Sequence, residues 1–342
     1  MNASDGGTVE RAARFGWKRR VLLGAKLLFS LGLIVFLLGR IPVGQLRSAL
    51  REVDPTWLVA AAALFVVSNI LGSLQWSRLL EAVDIRIPFW KVCAYYHVGL
   101  FFNNFLPANI GGDIARVSDA ARYGQTRTAA VSAVMMDRLI GTVALGGLAL
   151  VTSLPAIDRF HLTVVYLSLV GFFALGLLVL WAVFHPVLLG FLIGVLRRLG
   201  LGRFGPQLDE LESRLGVYRT RPALIVATMG VAVLTQVSRI GVHALVARSL
   251  GLDLPLSYFF LFVPLLAVIV SLPISLNGIG VREGAGVALF GLVGVDSAQA
   301  FSLQFITYLV AVAVSLLGGL VFLARIPRRR AASSNRRRTE WT

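Results

Sequence analysis

Two short stretches decide how this chain is interpreted: FFNNFLPANIGGDIARV at residues 101–117 and SLPISLNGIGVREG at residues 271–284. Both contain the pattern L-P-x4-G-x3-R, and the two copies lie 166 residues apart. A long apolar stretch that contains Gly-Gly-Leu follows each copy, at 146–148 and at 318–320. This shared order of motif and apolar stretch indicates an internal repeat.

Each motif begins in an uncharged apolar segment, 92–112 or 254–281, that is interrupted by Pro, Gly and Asn. Such residues break helices, and non-helical backbone at membrane depth persists only where protein or a water-filled cavity covers it. We therefore predict two re-entrant hairpins, at about 92–127 and 254–294. The residues expected to shape the hairpins are Pro107, Gly111, Gly112, Pro273, Gly278 and Gly280.

Four asparagines accompany the hairpins: Asn103, Asn104, Asn109 and Asn277. An amide side chain both donates and accepts hydrogen bonds. These residues therefore either cap the turn backbone or bind a ligand.

The rest of the chain is dominated by long apolar runs. Of the 342 residues only 15% are charged, against about 25% in soluble proteins, and the mean hydropathy is +0.79. A helix needs about 20 apolar residues to cross a bilayer. The sequence predicts an all-α polytopic membrane protein with six such helices, or eight if the hairpins are counted as spans: 21–39, 57–75, 130–153, 160–184, 222–248 and 300–324.

The formal net charge of +16 comes from 33 Lys and Arg residues. If both termini are cytoplasmic, 24 of those 33 lie in the four segments on the cytoplasmic side: 1–20, 77–129, 185–221 and 325–342. This bias matches the positive-inside rule, so the charge needs no nucleic-acid partner. We expect a multi-pass protein of the cell membrane with a basic N-terminal tail (1–20), a membrane domain (21–325) and a disordered basic tail (326–342). The amphipathic pattern of residues 204–219 predicts a short helix at the membrane surface.

Three predicted spans separate the two hairpins, so the second copy is inverted relative to the first. Inverted repeats with broken helices near the midplane are typical of transporters. No metal site or cofactor is expected, because the chain has one Cys and four scattered His. The longest predicted polar connection, 185–221, is shorter than an independent domain, and we therefore expect no catalytic function.

Charged residues near the bilayer centre are costly, and several lie in or beside the predicted spans. Asp137 and Arg138 lie in the third span, and Asp113 and Arg116 end the first hairpin. We predict the cross pairs Asp137–Arg116 and Asp113–Arg138. These pairs either only pin the hairpin to the helix or, in addition, line a polar cavity in which Arg116 and Arg138 bind a lipid phosphate. In the second half, Arg239 and Arg282 are candidates for a separate outer headgroup site, with Glu283 as the alternative structural partner of Arg239.

The two motifs resemble the signature motifs of the lysylphosphatidylglycerol synthase transmembrane family, which is also described as flippase-like or UPF0104. The resemblance extends from about residue 20 to 325 and includes Met136-Asp137-Arg138-Leu139. Full-length members carry a C-terminal cytosolic aminoacyl transferase domain, whereas this chain has fewer than 20 residues after its last apolar run. The resemblance therefore implies the membrane function, which is movement of a lipid or lipid-linked intermediate between leaflets.

Three classes of function remain open. The first is a translocase of an anionic phospholipid or lipid-linked intermediate, with membrane lipids as its partners. The second is a non-catalytic membrane partner of a separate synthase, in which the basic tails contact that synthase or a second copy of the chain. The third is an aminoacyl-lipid synthase or lipid-linked glycosyl transferase, which requires a donor site larger than any predicted loop.

Overall fold

The computed structural model describes residues 53–105, 111–154, 163–271 and 278–339. The predicted span at 21–39 lies outside these residues, as do Pro107, Asn109, Pro273 and Asn277. The described chain forms eleven α-helices: α1 (Pro55–Ala82), α2 (Phe89–Phe105), α3 (Gly111–Ala120), α4 (Arg127–Ser153), α5 (Thr163–Phe184), α6 (Pro186–Leu196), α7 (Gly205–Gly216), α8 (Pro222–Ser249), α9 (Leu256–Ser271), α10 (Val281–Gly291) and α11 (Ser297–Thr339).

Within the described ranges, five helical segments are long and apolar enough to cross a membrane. They are Pro55–Ala82, Arg127–Ser153, Tyr166–Phe184, Pro222–Ser249 and Ser297–Arg325. Each coincides with a span predicted from the sequence. The all-α polytopic membrane architecture is therefore confirmed.

The first hairpin consists of α2 and α3, which pack against each other in opposite directions. The amide of Gly112 donates to Oδ1 of Asn103 at 2.9 Å near the tip. Near the base, the Tyr95 and Tyr123 hydroxyl groups are 3.0 Å apart. The chain thus returns to the level at which it entered. At ten residues, α3 is about 15 Å long, half the thickness of a bilayer core.

The second hairpin repeats this arrangement with α9 and α10. The ring of Phe290, at the end of α10, lies 5.7 Å from that of Phe259 and 5.2 Å from that of Phe262, both in the first half of α9. The second hairpin therefore also begins and ends at the same side of the helix bundle. Helices α2 and α9 end at Phe105 and Ser271, which are separated by the same offset as the motifs.

The repeat also includes the helix before each hairpin. Helices α1 and α8 are both 28 residues long, and both begin at a proline. They pack against each other in opposite directions: the Asp54 amide donates to the Ser249 carbonyl at 2.8 Å at one end, and the Tyr218 hydroxyl donates to the Leu79 carbonyl at 3.0 Å at the other. The four-helix units α1–α4 and α8–α11 are therefore inverted relative to each other.

Close contact between the two units depends on small residues. A methyl group on Gly318 of α11 would overlap the backbone carbonyl of His97 in α2, and one on Gly319 would press on the Phe101 ring. The Gly-Gly-Leu of the second repeat therefore allows α11 to reach the backbone of the first hairpin. In the first repeat, Gly146 and Gly147 instead contact Phe172 and Phe173 of α5.

We expect Gly318→Ala to destabilise the protein by about 1–3 kcal/mol, because backbone atoms cannot move aside as a flexible side chain can. Gly171→Ala on α5 is the matched control. A Cβ at Gly171 meets no atom within 4 Å, so alanine should be neutral or slightly stabilising there. Thermal unfolding in detergent measures both variants. Equal melting temperatures for Gly318→Ala and wild type would contradict the close contact.

The connection 185–221 differs from the predicted polar loop. Residues 186–196 form the apolar helix α6, with Val187 and Phe191 largely exposed. The sequence expectation was wrong here because the arginines that follow dominated the composition of the segment. The predicted amphipathic helix is present as α7, which buries Leu208, Leu211 and Leu215.

Helix α7 docks against the start of α4. Hydrogen bonds from the Thr126 and Thr128 hydroxyl groups hold the pKa of Glu210 below its usual range. Thr126 also caps α4, since its hydroxyl oxygen accepts from the Ala129 amide at 3.4 Å.

The C-terminal end also differs from the prediction. Residues 326–339 continue α11 as a helix to Thr339, whereas we expected disorder from residue 326. Alanine and arginine favour helix formation, and the preceding membrane helix already provides the nucleus from which a helix extends at low entropic cost.

Candidate functional site

A cavity of about 460 Å³ lies between the two repeats. Helices α1 to α4 form its wall on one side, and α8, α9 and the start of α10 form the other. Its charged lining among the described residues consists of four arginines and one aspartate: Arg116, Asp137, Arg138, Arg239 and Arg282. Gln75, Asn103, Thr235, Gln236 and His243 add neutral polar groups.

Arg116 is held in place by an ion pair and two aromatic rings. Its Nη2 atom donates to Oδ2 of Asp137 at 2.7 Å, with both side chains under a tenth exposed. The guanidinium carbon lies 4.3 Å from the Trp76 ring centroid and 4.9 Å from that of Tyr96. Nε2 of Gln75 donates to Oδ1 of Asp137 at 2.9 Å. The predicted Asp137–Arg116 pair is thus present and buried.

The second predicted pair, Asp113–Arg138, is also present. Nη2 and Nε of Arg138 donate to the Asp113 carboxylate at 2.9 and 3.1 Å, which is the bidentate geometry that guanidinium favours. The pair is more exposed than Arg116–Asp137, with half of the Arg138 side chain accessible. It therefore lies at the rim of the cavity and not in its depth.

The predicted alternative pair Arg239–Glu283 does not form. The Glu283 carboxylate accepts from the Gly280 amide at 2.6 Å and is 2% exposed. It caps the N-terminus of α10, where a negative charge is favourable. Gly280 has a φ of +81°, a conformation that glycine adopts without strain. This turn directs the carboxylate to the backbone of its own hairpin.

Arg239 lies in the middle of α8 and lines the cavity. Its Nε atom is buried and has no hydrogen-bond partner in the described chain. No described carboxylate lies within ion-pair distance of it. Arg239 therefore brings a positive charge into the cavity that the described residues do not neutralise.

Arg282 faces the same cavity from the second hairpin. Its guanidinium carbon lies 4.6 Å from the centroid of the Tyr308 ring, as Arg116 lies against Trp76 and Tyr96. The two equivalent arginines of the motif thus share an aromatic environment. At the repeat offset of 166, Asp137 of α4 corresponds to Leu303 of α11. The neighbouring Gln304 packs against Gly286 of α10.

The motif glycines permit close backbone approach, as the sequence predicted. A Cβ on Gly112 would overlap the Gly99 carbonyl, and one on Gly278 would overlap the Val270 side chain. Gly111 begins α3. Asn103 caps the Gly112 amide and also lines the cavity, so the two roles considered for it are compatible. Asn104 lies next to it and is half-buried.

The sequence predicted two separate clusters of arginines, one in each repeat. The structure instead brings Arg116, Arg138, Arg239 and Arg282 to one cavity, because α1 and α8 pack closely and so bring the two repeats together. Sequence reasoning missed Gln75, Trp76, Tyr96 and Tyr308. A signal was available for the first of these: the otherwise apolar helix α1 carries a run of buried polar residues at Ser68, Asn69, Ser73, Gln75 and Ser77.

A second cluster at the hairpin base was also missed. The Asp119 carboxylate is buried and lies 3.3 Å from Nη1 of Arg325 in α11, while the Arg325 guanidinium lies over the Tyr95 ring at 4.4 Å. This cluster ties the first hairpin to the last helix.

Inverted repeats, paired hairpins and an arginine-lined cavity between them define an all-α polytopic membrane protein built from two inverted halves. The family model described as "Lysylphosphatidylglycerol synthase TM region" matches residues 23–319, and the chain belongs to this family.

Two curated relatives carry names of the same family. A "UPF0104 membrane protein" of Methanothermobacter thermautotrophicus is 23% identical over 271 residues, which cover 74% of this chain and 80% of that protein. A "UPF0104 membrane protein" of Pyrococcus horikoshii is 22% identical over 321 residues, or 87% and 95% of the two chains. No solved structure matches significantly.

Proposed function

We propose that this protein translocates an anionic phospholipid or a lipid-linked intermediate between the leaflets of the cell membrane. The observation that carries the proposal is the cavity between the inverted repeats, into which both repeats contribute arginines. Asp137 and Asp113 neutralise two of these arginines, and Arg239 has no described acidic partner. The cavity thus favours a ligand with negative charge.

A lipid phosphate fits the chemistry of this lining. Guanidinium groups present a planar fork of donors that matches phosphate oxygens. The neutral amides of Gln75, Asn103 and Gln236 supply further donors on the same walls. At about 460 Å³ the cavity lies within the usual range of small-molecule sites, about 300–1,000 Å³. It holds a headgroup, while the acyl chains remain in the surrounding bilayer.

The inverted repeat supports access from both sides. Hairpin α2–α3 enters from the end of the bundle that contains the basic segments around 121–126 and 197–221, and hairpin α9–α10 enters from the opposite end. The positive-inside rule favours a cytoplasmic position for the basic end, which would place both termini in the cytoplasm. In this arrangement Arg116 and Arg282 contact the phosphate from opposite sides of one cavity.

We propose no catalytic role and no cofactor for the described membrane domain. Its site residues bind and orient a charged headgroup, and the driving force is a gradient or mass action. A role as membrane partner of a separate synthase is the alternative. It predicts wild-type levels of protein in the membrane without any exchange of lipid.

Exchange of labelled phosphatidylglycerol between the leaflets of proteoliposomes tests the proposal. We expect wild-type protein to accelerate exchange and Arg282→Lys to reduce the rate per folded molecule about tenfold. Lysine keeps the charge but loses the bidentate contact, and a hydrogen bond to a charged group contributes roughly 1.5–3 kcal/mol. Arg116→Lys should behave similarly.

Arg248→Lys is the matched control, because Arg248 is exposed at the end of α8 against Trp57. It should exchange lipid at the wild-type rate. Size-exclusion profiles report the folded fraction of each variant. Wild-type exchange per molecule in both Arg282→Lys and Arg116→Lys would remove the phosphate role of these arginines.

A further inference from the structure

A second depression lies on the outside of the first repeat, between α3 and α4. It measures about 550 Å³, and its walls are mainly apolar: Ile114, Val117, Val131, Val134 and Met135. Ile114 is 61% exposed and Met135 is 44% exposed. We call this depression the α3–α4 groove. It is distinct from the central cavity, which lies on the inner side of the same two helices.

An arginine lies at each end of the groove on α4. Arg127 is at the first position of the helix and is exposed, and Arg138 lies further along. Residues 127, 131, 134 and 138 are spaced at four, three and four positions, which places them in one stripe on a helix. The two arginines are about 16 Å apart along the axis. The apolar α3–α4 groove therefore extends from Arg127 at the start of the helix to Arg138 deeper in the membrane.

Arg138 also connects the groove to the central cavity. It lines both spaces, and its partner Asp113 lines the groove. The bidentate Arg138–Asp113 pair at 2.9 and 3.1 Å thus stands between them. Because half of the Arg138 side chain is exposed, an incoming anion can compete with Asp113 for its donors. Arg116 lies just behind, 3.9 Å from the Asp113 carboxylate.

We propose that the α3–α4 groove is the lateral binding site through which an anionic glycerophospholipid reaches the cavity, with the Arg138–Asp113 pair as its gate. The phosphate contacts first Arg127 and then Arg138. The acyl chain lies along the apolar walls, which are formed by Val117, Val131, Val134 and Met135. Charge and polarity both favour this ligand. A lipid without net negative charge does not neutralise the arginines, and a soluble anion has no acyl chain to contact the apolar walls. The inference rests on the proposed translocase function, for which it supplies the path and the substrate class.

Photo-crosslinking in nanodiscs tests the groove directly. Two lipids carrying a diazirine in the acyl chain, a phosphatidylglycerol and a phosphatidylcholine, are each added at low density to discs of unlabelled phosphatidylcholine. We expect the anionic probe to label residues 111–120 and 127–138 about fivefold more than the neutral probe, since each basic residue near an anionic lipid contributes about that factor. The outer face of α5, with exposed Leu167, Leu175 and Leu178, should be labelled equally by both.

Two pairs of variants separate charge from shape. Arg127→Gln should reduce the labelling preference about threefold or more, whereas Arg198→Gln, an exposed arginine in the turn after α6, should not change it. Val131→Trp fills the groove and should lower both labelling of α3 and lipid exchange, whereas Val151→Trp, exposed on the same helix outside the groove, should lower neither. Equal labelling by the two probes in wild-type protein would overturn the inference.

The outcomes also distinguish this inference from the proposed function. Preferential labelling without any exchange in proteoliposomes would support a lipid site in the groove and refute the translocase. Exchange that persists in Val131→Trp with no preferential labelling would leave the translocase intact and refute the groove as its path.

Discussion

Replacing Arg239 with glutamine is expected to reduce lipid exchange at least tenfold and at the same time to raise the melting temperature. A charge near the bilayer centre costs about 2.5–3.5 kcal/mol on insertion scales, and the Arg239 Nε atom has no hydrogen-bond partner in the described chain. Removing the charge should therefore recover about 1–3 kcal/mol of stability. The function should be lost because Arg239 is the cavity arginine without a described acidic partner.

The opposite changes in stability and activity make this prediction specific. When a residue that is retained for packing is replaced, the protein loses stability. When a binding residue that is kept at a cost to the fold is replaced, the protein gains stability. Arg248→Gln at the exposed end of the same helix is the control and should change neither quantity. Thermal unfolding in detergent and proteoliposome exchange measure the two effects. An Arg239→Gln variant that is less stable than wild type would assign Arg239 a structural role.

The second large effect concerns the buried pair Arg116–Asp137. We expect Asp137→Ala and Arg116→Ala each to destabilise the protein by about 3–5 kcal/mol, because each leaves a buried charge without its partner. Arg116 would retain the Trp76 and Tyr96 rings, at 4.3 and 4.9 Å, but no carboxylate closer than Asp113 at 3.9 Å. The double variant should recover part of the loss.

A double-mutant cycle in detergent measures the coupling of this pair. The exposed pair Arg78–Glu81 serves as the control, with N–O distance 3.3 Å and side chains 59% and 47% accessible. Its coupling should not exceed roughly 0.5 kcal/mol, as for other surface pairs. If the Arg116→Ala/Asp137→Ala double variant is as unstable as the sum of the single variants, the two side chains do not stabilise each other.

The asymmetry between the two repeats bears on how a transport cycle would proceed. The motif arginine of the first hairpin is neutralised by Asp137 at 2.7 Å, while the acidic residue beside Arg282 is committed to the Gly280 amide. An anion that enters from the groove therefore first meets Arg138 and Arg116, which Asp113 and Asp137 neutralise, and then Arg239, which has no described acidic partner. In the proposed translocase, this distribution of positive charge would attract the headgroup toward the interior of the cavity.

Several elements were predictable because they depend on local sequence. Long apolar runs with few charges determined the spans that became α1, α4, α5, α8 and α11, since a segment in lipid must satisfy its own backbone hydrogen bonds. Pro and Gly clusters located both hairpins, and the cross pairs of Asp113 and Asp137 followed from the cost of burying a charge alone. The apolar helix α6 was overlooked because neighbouring arginines dominated the composition of its segment.

What the sequence determined by itself is the membrane class, the inverted repeat and the identity of the charged residues that needed partners. Only the tertiary structure decided which partners they found. Glu283 bonds the backbone of its own turn and not Arg239, because the positive φ of Gly280 presents an amide to it at 2.6 Å. Likewise, the arginines of both repeats converge on one cavity because α1 and α8 pack in opposite directions, and that contact joins residues far apart in the chain, which no local pattern records.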